Sequence, residues 1–161
     1  MAMNVFTGPA LEESVSAVTD SPSIQVGTRR WYQGEEYVYC YNQGTGTAPV
    51  SRGVKLATGA SGYTVAVTTA TDAFNPCVGV VKHAAITSSS YGWVMVKGFC
   101  NVTVASASTA DYKGIALGAA SGIFVEASGT STIGTALCIG YLVSHNTAAS
   151  GQAYAFIRTN A

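Results

Sequence analysis

The sequence predicts an all-β fold: a single-domain antiparallel β-sandwich or barrel with an extended N-terminal arm. Three observations carry that expectation. From Arg30 onward, short β-branched or aromatic runs alternate with glycine-rich turns, which is the pattern of many short strands. Nothing in that region repeats apolar residues at helical spacing. At 161 residues the chain fits one domain and should bury roughly 68–70% of its unfolded surface without metal or disulfide staples.

Residues 1–28 read as the arm. They are polar and punctuated by Pro9 and Pro22. Thr7 can cap a short helix over residues 9–18, which would place Leu11, Val15 and Val18 on one face. A helix of about ten residues is marginal alone and needs a surface to lie on. Leu11, Glu12, Glu13, Val15 and Val18 are therefore candidate partner-binding residues. The arm holds Glu12, Glu13 and Asp20 with no Lys or Arg, a charge of −3, whereas residues 29–161 hold eight basic and five acidic residues, a charge of +3. An acidic leader of this kind can be a solvated arm, or it can rest on its own body or on a basic neighbour.

Residues 29–161 read as the β-rich body. Strands are expected at 30–41, 53–56, 63–68, 78–82, 91–97, 99–104, 115–117, 123–126, 136–143 and 152–158. The tripeptide Ala-Ser-Gly occurs at 60–62, 120–122, 127–129 and 149–151 with irregular spacing, so it marks hairpin turns in which Gly supplies positive φ and not an internal repeat. Alternation sets Tyr37, Tyr39 and Tyr41 against Val38 and Cys40. It likewise sets Trp93, Met95 and Lys97 against Val94 and Val96, and Tyr154, Phe156 and Arg158 against Ala153, Ala155 and Ile157. Placing the small aliphatics inside leaves an aromatic stripe for a rim or partner, because Tyr and Trp are enriched at interfaces. The opposite assignment, aromatics inside, fits any one strand equally well. The aromatic and basic positions Arg29, Arg30, Trp31, Tyr32 and Trp93 join the candidate partner-binding set.

Composition narrows the function. The chain is 48% hydrophobic but only 10% charged, against about 25% in a typical soluble domain. A surface so poor in charge is expected to be covered in part by neighbours. The net charge of zero disfavours nucleic acid and anionic membranes as partners, and no run approaches the roughly 18 apolar residues of a spanning helix. Met1 to Phe6 lacks the basic and apolar regions of a signal peptide. Cys40, Cys77, Cys100 and Cys138 are widely spaced in apolar runs, which predicts reduced, buried thiols and folding in a cytoplasm. Asn101-Val102-Thr103 matches a glycosylation sequon but reads as an ordinary strand segment.

Catalytic patterns are not found. Gly59-Ala60-Ser61-Gly62 and Gly118-Ala119-Ala120-Ser121-Gly122 both miss the G-x-S-x-G spacing of a nucleophile elbow. His83 and His145 stand outside any metal-ligand cluster and are expected at the surface or in structural hydrogen bonds. Glu12-Glu13 and Glu35-Glu36 are adjacent, so on a strand or a helix each pair diverges and forms no acid–base site by itself. No lysine follows a glycine-rich phosphate loop. The expectation is a non-enzymatic protein with no catalytic residues, no cofactor and no metal.

One family resemblance bears on this. Pro22, then Val26-Gly27-Thr28-Arg29, then Gly34-Glu35-Glu36-Tyr37-Val38-Tyr39 and a glycine-rich step to Gly53 resemble the opening of small tailed-bacteriophage head proteins. Gly79-Val80-Val81, Tyr91-Gly92-Trp93-Val94, Gly118 and Gly140-Tyr141-Leu142 are similar to the same pattern, and the resemblance covers most of residues 22–158. Where the family has an Asp-Gly turn this chain has Gln33-Gly34-Glu35, which leaves the hairpin type open. The resemblance implies a capsid decoration, or cement, protein: made in the host cytoplasm, seated on the virion's capsid exterior, commonly a homotrimer, and clamping neighbouring subunits of the major capsid protein. Two other readings are a tail or fibre subunit that binds a host surface, and a hydrolase in which His83 or His145 meets a carboxylate.

Overall fold

Gly98 joins what the sequence reads as two strands into one. In the computed structural model, which describes residues 14–22, 24–57, 63–67, 77–105, 114–118, 121–126, 139–144 and 151–159, Tyr91–Val104 is a continuous 14-residue strand, β7. Gly98 passes through it at φ +142°, where a Cβ would lie 2.8 Å from the Glu35 side chain. Only glycine adopts that conformation without strain. The strand therefore continues and changes partner. Tyr91 to Lys97 pairs with β3 (Glu35–Asn42), and Lys97 to Val104 pairs with β11 (Gly151–Arg158).

The other described strands are β1 (Val18–Thr19), β2 (Arg29–Tyr32), β4 (Arg52–Leu56), β5 (Thr64–Val67), β6 (Cys77–Val81), β8 (Gly114–Leu117), β9 (Phe124–Glu126) and β10 (Gly140–Leu142). The all-β expectation holds, in one eleven-stranded sheet. It is mixed rather than antiparallel, because β3–β5 and β7–β9 pair in parallel. Two sets of pairings return to β7. One runs β7–β6–β4–β5–β3 and the other β7–β9–β8–β10–β11.

That topology decides which side chains are inside. Val38, Cys40, Val54, Val65, Val94 and Val96 belong to one apolar cluster, while Tyr37, Tyr39, Trp93 and Met95 belong to a second with Cys100, Val102, Ala155 and Ile157. Along β3 and the first half of β7 both faces are covered, so the aromatics expected at a rim are buried: Tyr37 and Tyr39 are fully enclosed and Trp93 nearly so. In β11 the small aliphatics do face the core, and Tyr154 and Arg158 face out.

The expected strand over residues 30–41 is a hairpin. Tyr32 pairs with Glu35 across a two-residue loop, and both Gln33 (φ 51°) and Gly34 (φ 82°) have positive φ. This is the type I′ signature, whose twist matches the flanking strands. Gln33 occupies a position more often given to Asn, Asp or Gly. Of the Ala-Ser-Gly turns, the one at 120–122 has Gly122 at φ +70° as expected; those at 60–62 and 127–129 lie outside the described residues.

The leader departs from its expected helix. Residues 14–17 form a turn closed by the Ala17 N–H on the Ser14 carbonyl, and Val18 and Thr19 then pair with Gly92 and Tyr91. Strand pairing satisfies backbone groups that a marginal helix would leave half-solvated. Val15 and Ile24 are buried in the core, and Asp20 accepts a hydrogen bond from the Ser90 hydroxyl. Residues 14–22 thus pack on the body instead of extending from it. The rest of the expected helix, residues 9–13, lies outside the described residues.

Candidate functional site

Trp31, Phe99, Tyr141 and Tyr154, four of the exposed aromatic side chains, gather on one face made by the β2–β3 hairpin, β7, β11 and β10. Opposed residues on neighbouring strands share a face. Trp31 opposes Glu36, Glu36 opposes Lys97, and Lys97 opposes Arg158, giving one row across four strands. In the next row Phe99 opposes Phe156 and Phe156 opposes Tyr141; Asn101 and Tyr154 follow. The reverse side of β7 and β11 carries Cys100, Val102, Ala155 and Ile157 into the core.

The rings touch in sequence. Phe99 lies 4.9 Å from Phe156 and 5.8 Å from Tyr154 between centroids, the latter pair stacked at 14°, and Tyr141 lies 5.4 Å from Phe156. Phe99, Tyr141 and Tyr154 are 41%, 39% and 42% exposed, and Trp31 is 59% exposed. Clustered exposed aromatics of this kind mark interaction surfaces, whereas single ones do not. A cation edges the cluster, the Lys97 ammonium 5.3 Å from the Trp31 ring, while the Arg30 guanidinium lies 5.6 Å from the Tyr32 ring on the other side of β2. Arg29 pairs with Glu36 at 2.5 Å.

A polar clasp ties the same region together. Lys82 Nζ donates to both Glu35 carboxylate oxygens, at 2.5 and 2.6 Å, and to the Phe99 carbonyl at 2.9 Å. The Tyr37 hydroxyl donates to Glu35 Oε2 at 2.5 Å, so at its 2.8 Å contact with His83 Nε2 it accepts. Burial pushes the Tyr37 phenol well up, with the Glu35 carboxylate reinforcing the shift. Burial, followed by the nearby Lys82 ammonium, holds His83 below the usual histidine value. The carboxylate is occupied by Lys82 and Tyr37, so this group braces β3 against β6 and the Gly98 step. Burial raises the thiols of Cys77 and Cys100 to about 12, and Cys40 is raised likewise; all three are free. Cys138 and His145 lie outside the described residues. Among the described residues, no three His, Cys, Asp or Glu side chains are placed to hold a metal.

The structure divides the expected partner-binding residues. Arg29, Arg30, Trp31 and Tyr32 form the exposed hairpin strand. Trp93 is buried in β7, where both faces of the sheet are covered, and Val15 is buried in the core from the turn at 14–17. Val18 is half-buried, paired with Gly92 and packed on the core. Leu11, Glu12 and Glu13 lie outside the described residues. The face adds Lys97, Phe99, Tyr141, Tyr154, Phe156 and Arg158. Alternation in the last strand already set Tyr154, Phe156 and Arg158 together, but their register against Phe99 and Tyr141 is a long-range property with no local signal.

These features define an all-β protein presenting an aromatic face edged with cations. No family model and no curated protein matches the chain. Among solved structures the fold is similar to the N base of the head fiber gp8.5 of bacteriophage phi29, with a TM-score of 0.50 and 14% identity, over 75% of this chain and 93% of that one.

Proposed function

We propose that the protein is a non-enzymatic structural component of a tailed-bacteriophage virion, and specifically a decoration protein that binds the outside of the head and clamps neighbouring major capsid subunits. The observation that carries this reading is the fold likeness to the base of a phage head fiber. The exposed aromatic face supports it, since it supplies a contact surface and no catalytic arrangement. The Glu35 clasp, the best candidate for acid–base chemistry, has its carboxylate taken up by internal donors. Self-association as a trimer would multiply weak contacts into useful avidity.

The fold likeness also favours a second reading, in which the protein is the base that fixes a fibre to the head. The two readings separate by what sits above it on the particle: nothing for a decoration protein, a fibre for a base.

The test is reconstitution. Heads stripped of the protein should release DNA at a lower temperature than decorated heads, and adding it back should restore the difference, because a ligand that binds the intact shell stabilises it. Stripped heads that are as heat-stable as decorated ones would contradict the clamp.

A further inference from the structure

Lys97 and Arg158 are directly opposed across β7 and β11. Like charges so placed repel each other. The carboxylate beside them, Glu36, is engaged by Arg29. The Lys97 ammonium instead lies over Trp31, and neither cation has an ion pair among the described residues. Immediately along the same face come Phe99 and Phe156, in ring contact. The patch therefore asks for a ligand with carboxylates next to an apolar side chain.

The chain itself contains such a segment in Leu11-Glu12-Glu13, within a leader of charge −3 facing a body of charge +3. We propose that Leu11-Glu12-Glu13 of one copy docks on the Lys97–Arg158 and Phe99–Phe156 patch of a second copy, the glutamates meeting the two cations and the leucine covering the rings. Geometry favours a neighbour over the same chain. Val15 is buried in the same core cluster as Cys100, Val102, Ala155 and Ile157, which fills the reverse side of β7 and β11 from the patch. Glu13, Glu12 and Leu11 lie one, two and three positions before Ser14, at most about 11 Å of extended chain. Reaching the patch of the same copy means travelling to a sheet edge and around a layer about 10 Å thick. A second copy needs no such detour. This inference does not depend on where in a virion the protein resides.

The experiment is native mass spectrometry and sedimentation of the full-length protein at micromolar concentration and low salt. Wild type should form assemblies of more than one chain that weaken as salt is raised. Lys97→Glu with Arg158→Glu, or Glu12→Lys with Glu13→Lys, should weaken self-association at least about tenfold. Combining all four reversals in one chain should restore it. Lys97→Gln with Arg158→Gln removes the charges more gently and should weaken association in the same direction, with circular dichroism confirming that each variant folds. A wild-type monomer at every concentration, an assembly indifferent to the reversals, or a fourfold reversal that fails to restore it would each overturn the proposal. Docking within one chain would appear as rescue of stability with no change in mass, and that also overturns it.

Discussion

The Lys82 ammonium bonds both carboxylate oxygens of Glu35, and the stem of the same side chain occupies the space beside Gly98 that a Cβ would fill. This couples the hairpin, β6 and the step in β7 through one partly buried ion pair. Removing one partner strands the other. Lys82→Met should therefore lower stability by about 1–3 kcal/mol. Adding Glu35→Gln should recover part of the loss, a coupling that urea unfolding of the two single variants and the double variant will measure.

Gly98→Ala should destabilise by about 1–3 kcal/mol, since it forces alanine into a strained φ and pushes its Cβ toward Glu35. If thermal unfolding shows no loss, the step in β7 is not a glycine requirement.

Asn42 is buried, and its amide donates to the carbonyls of Gly46, Ile86 and Thr87 while its oxygen accepts from the Gly44 N–H. It pins two loops at once. Asn42→Ala should cost about 2–3 kcal/mol, because the buried carbonyls lose their donor. Faster amide exchange should be confined at first to residues 43–48 and 86–90.

His83 gives a signed pH dependence. Its value in the fold is depressed from about 6.5, so below that pH the unfolded chain binds more protons and folding is disfavoured. Stability contributed by neutral His83 is present above about pH 6.5 and declines as pH falls toward the folded value. The melting temperature of His83→Gln should accordingly fall less than that of wild type between about pH 7 and pH 5.

Strand content was legible because it follows from local chemistry. The runs at 53–56, 115–117 and 152–158 stand within a residue or two of their observed limits. Burial was not legible for Tyr37, Tyr39 and Trp93, because alternation reports that two faces exist and not that both are covered. The leader misled for a related reason: Leu11, Val15 and Val18 do fall at helical spacing, yet Val18 gains more from pairing with Gly92 than from a lone helical turn. Of the aromatic and basic positions picked out between Arg29 and Tyr32, Arg29 and Trp31 lie on the outer face. Phe99, Tyr141 and Phe156 meet only through long-range register.

The exposed face should be separable from the fold. Trp31→Ala with Tyr154→Ala should change stability by no more than about 0.5 kcal/mol per site, as expected for exposed positions. The same variant should bind stripped heads more weakly, and a co-sedimentation assay reads both the binding and its loss.

The central claim is a place on the outside of a phage head, and gold-labelled antibody against this protein, viewed by electron microscopy on purified intact particles, tests it most directly. The account predicts gold distributed over the head surface with none on the tail. Gold confined to the tail would contradict it, as would labelling that appears only after the heads are broken open.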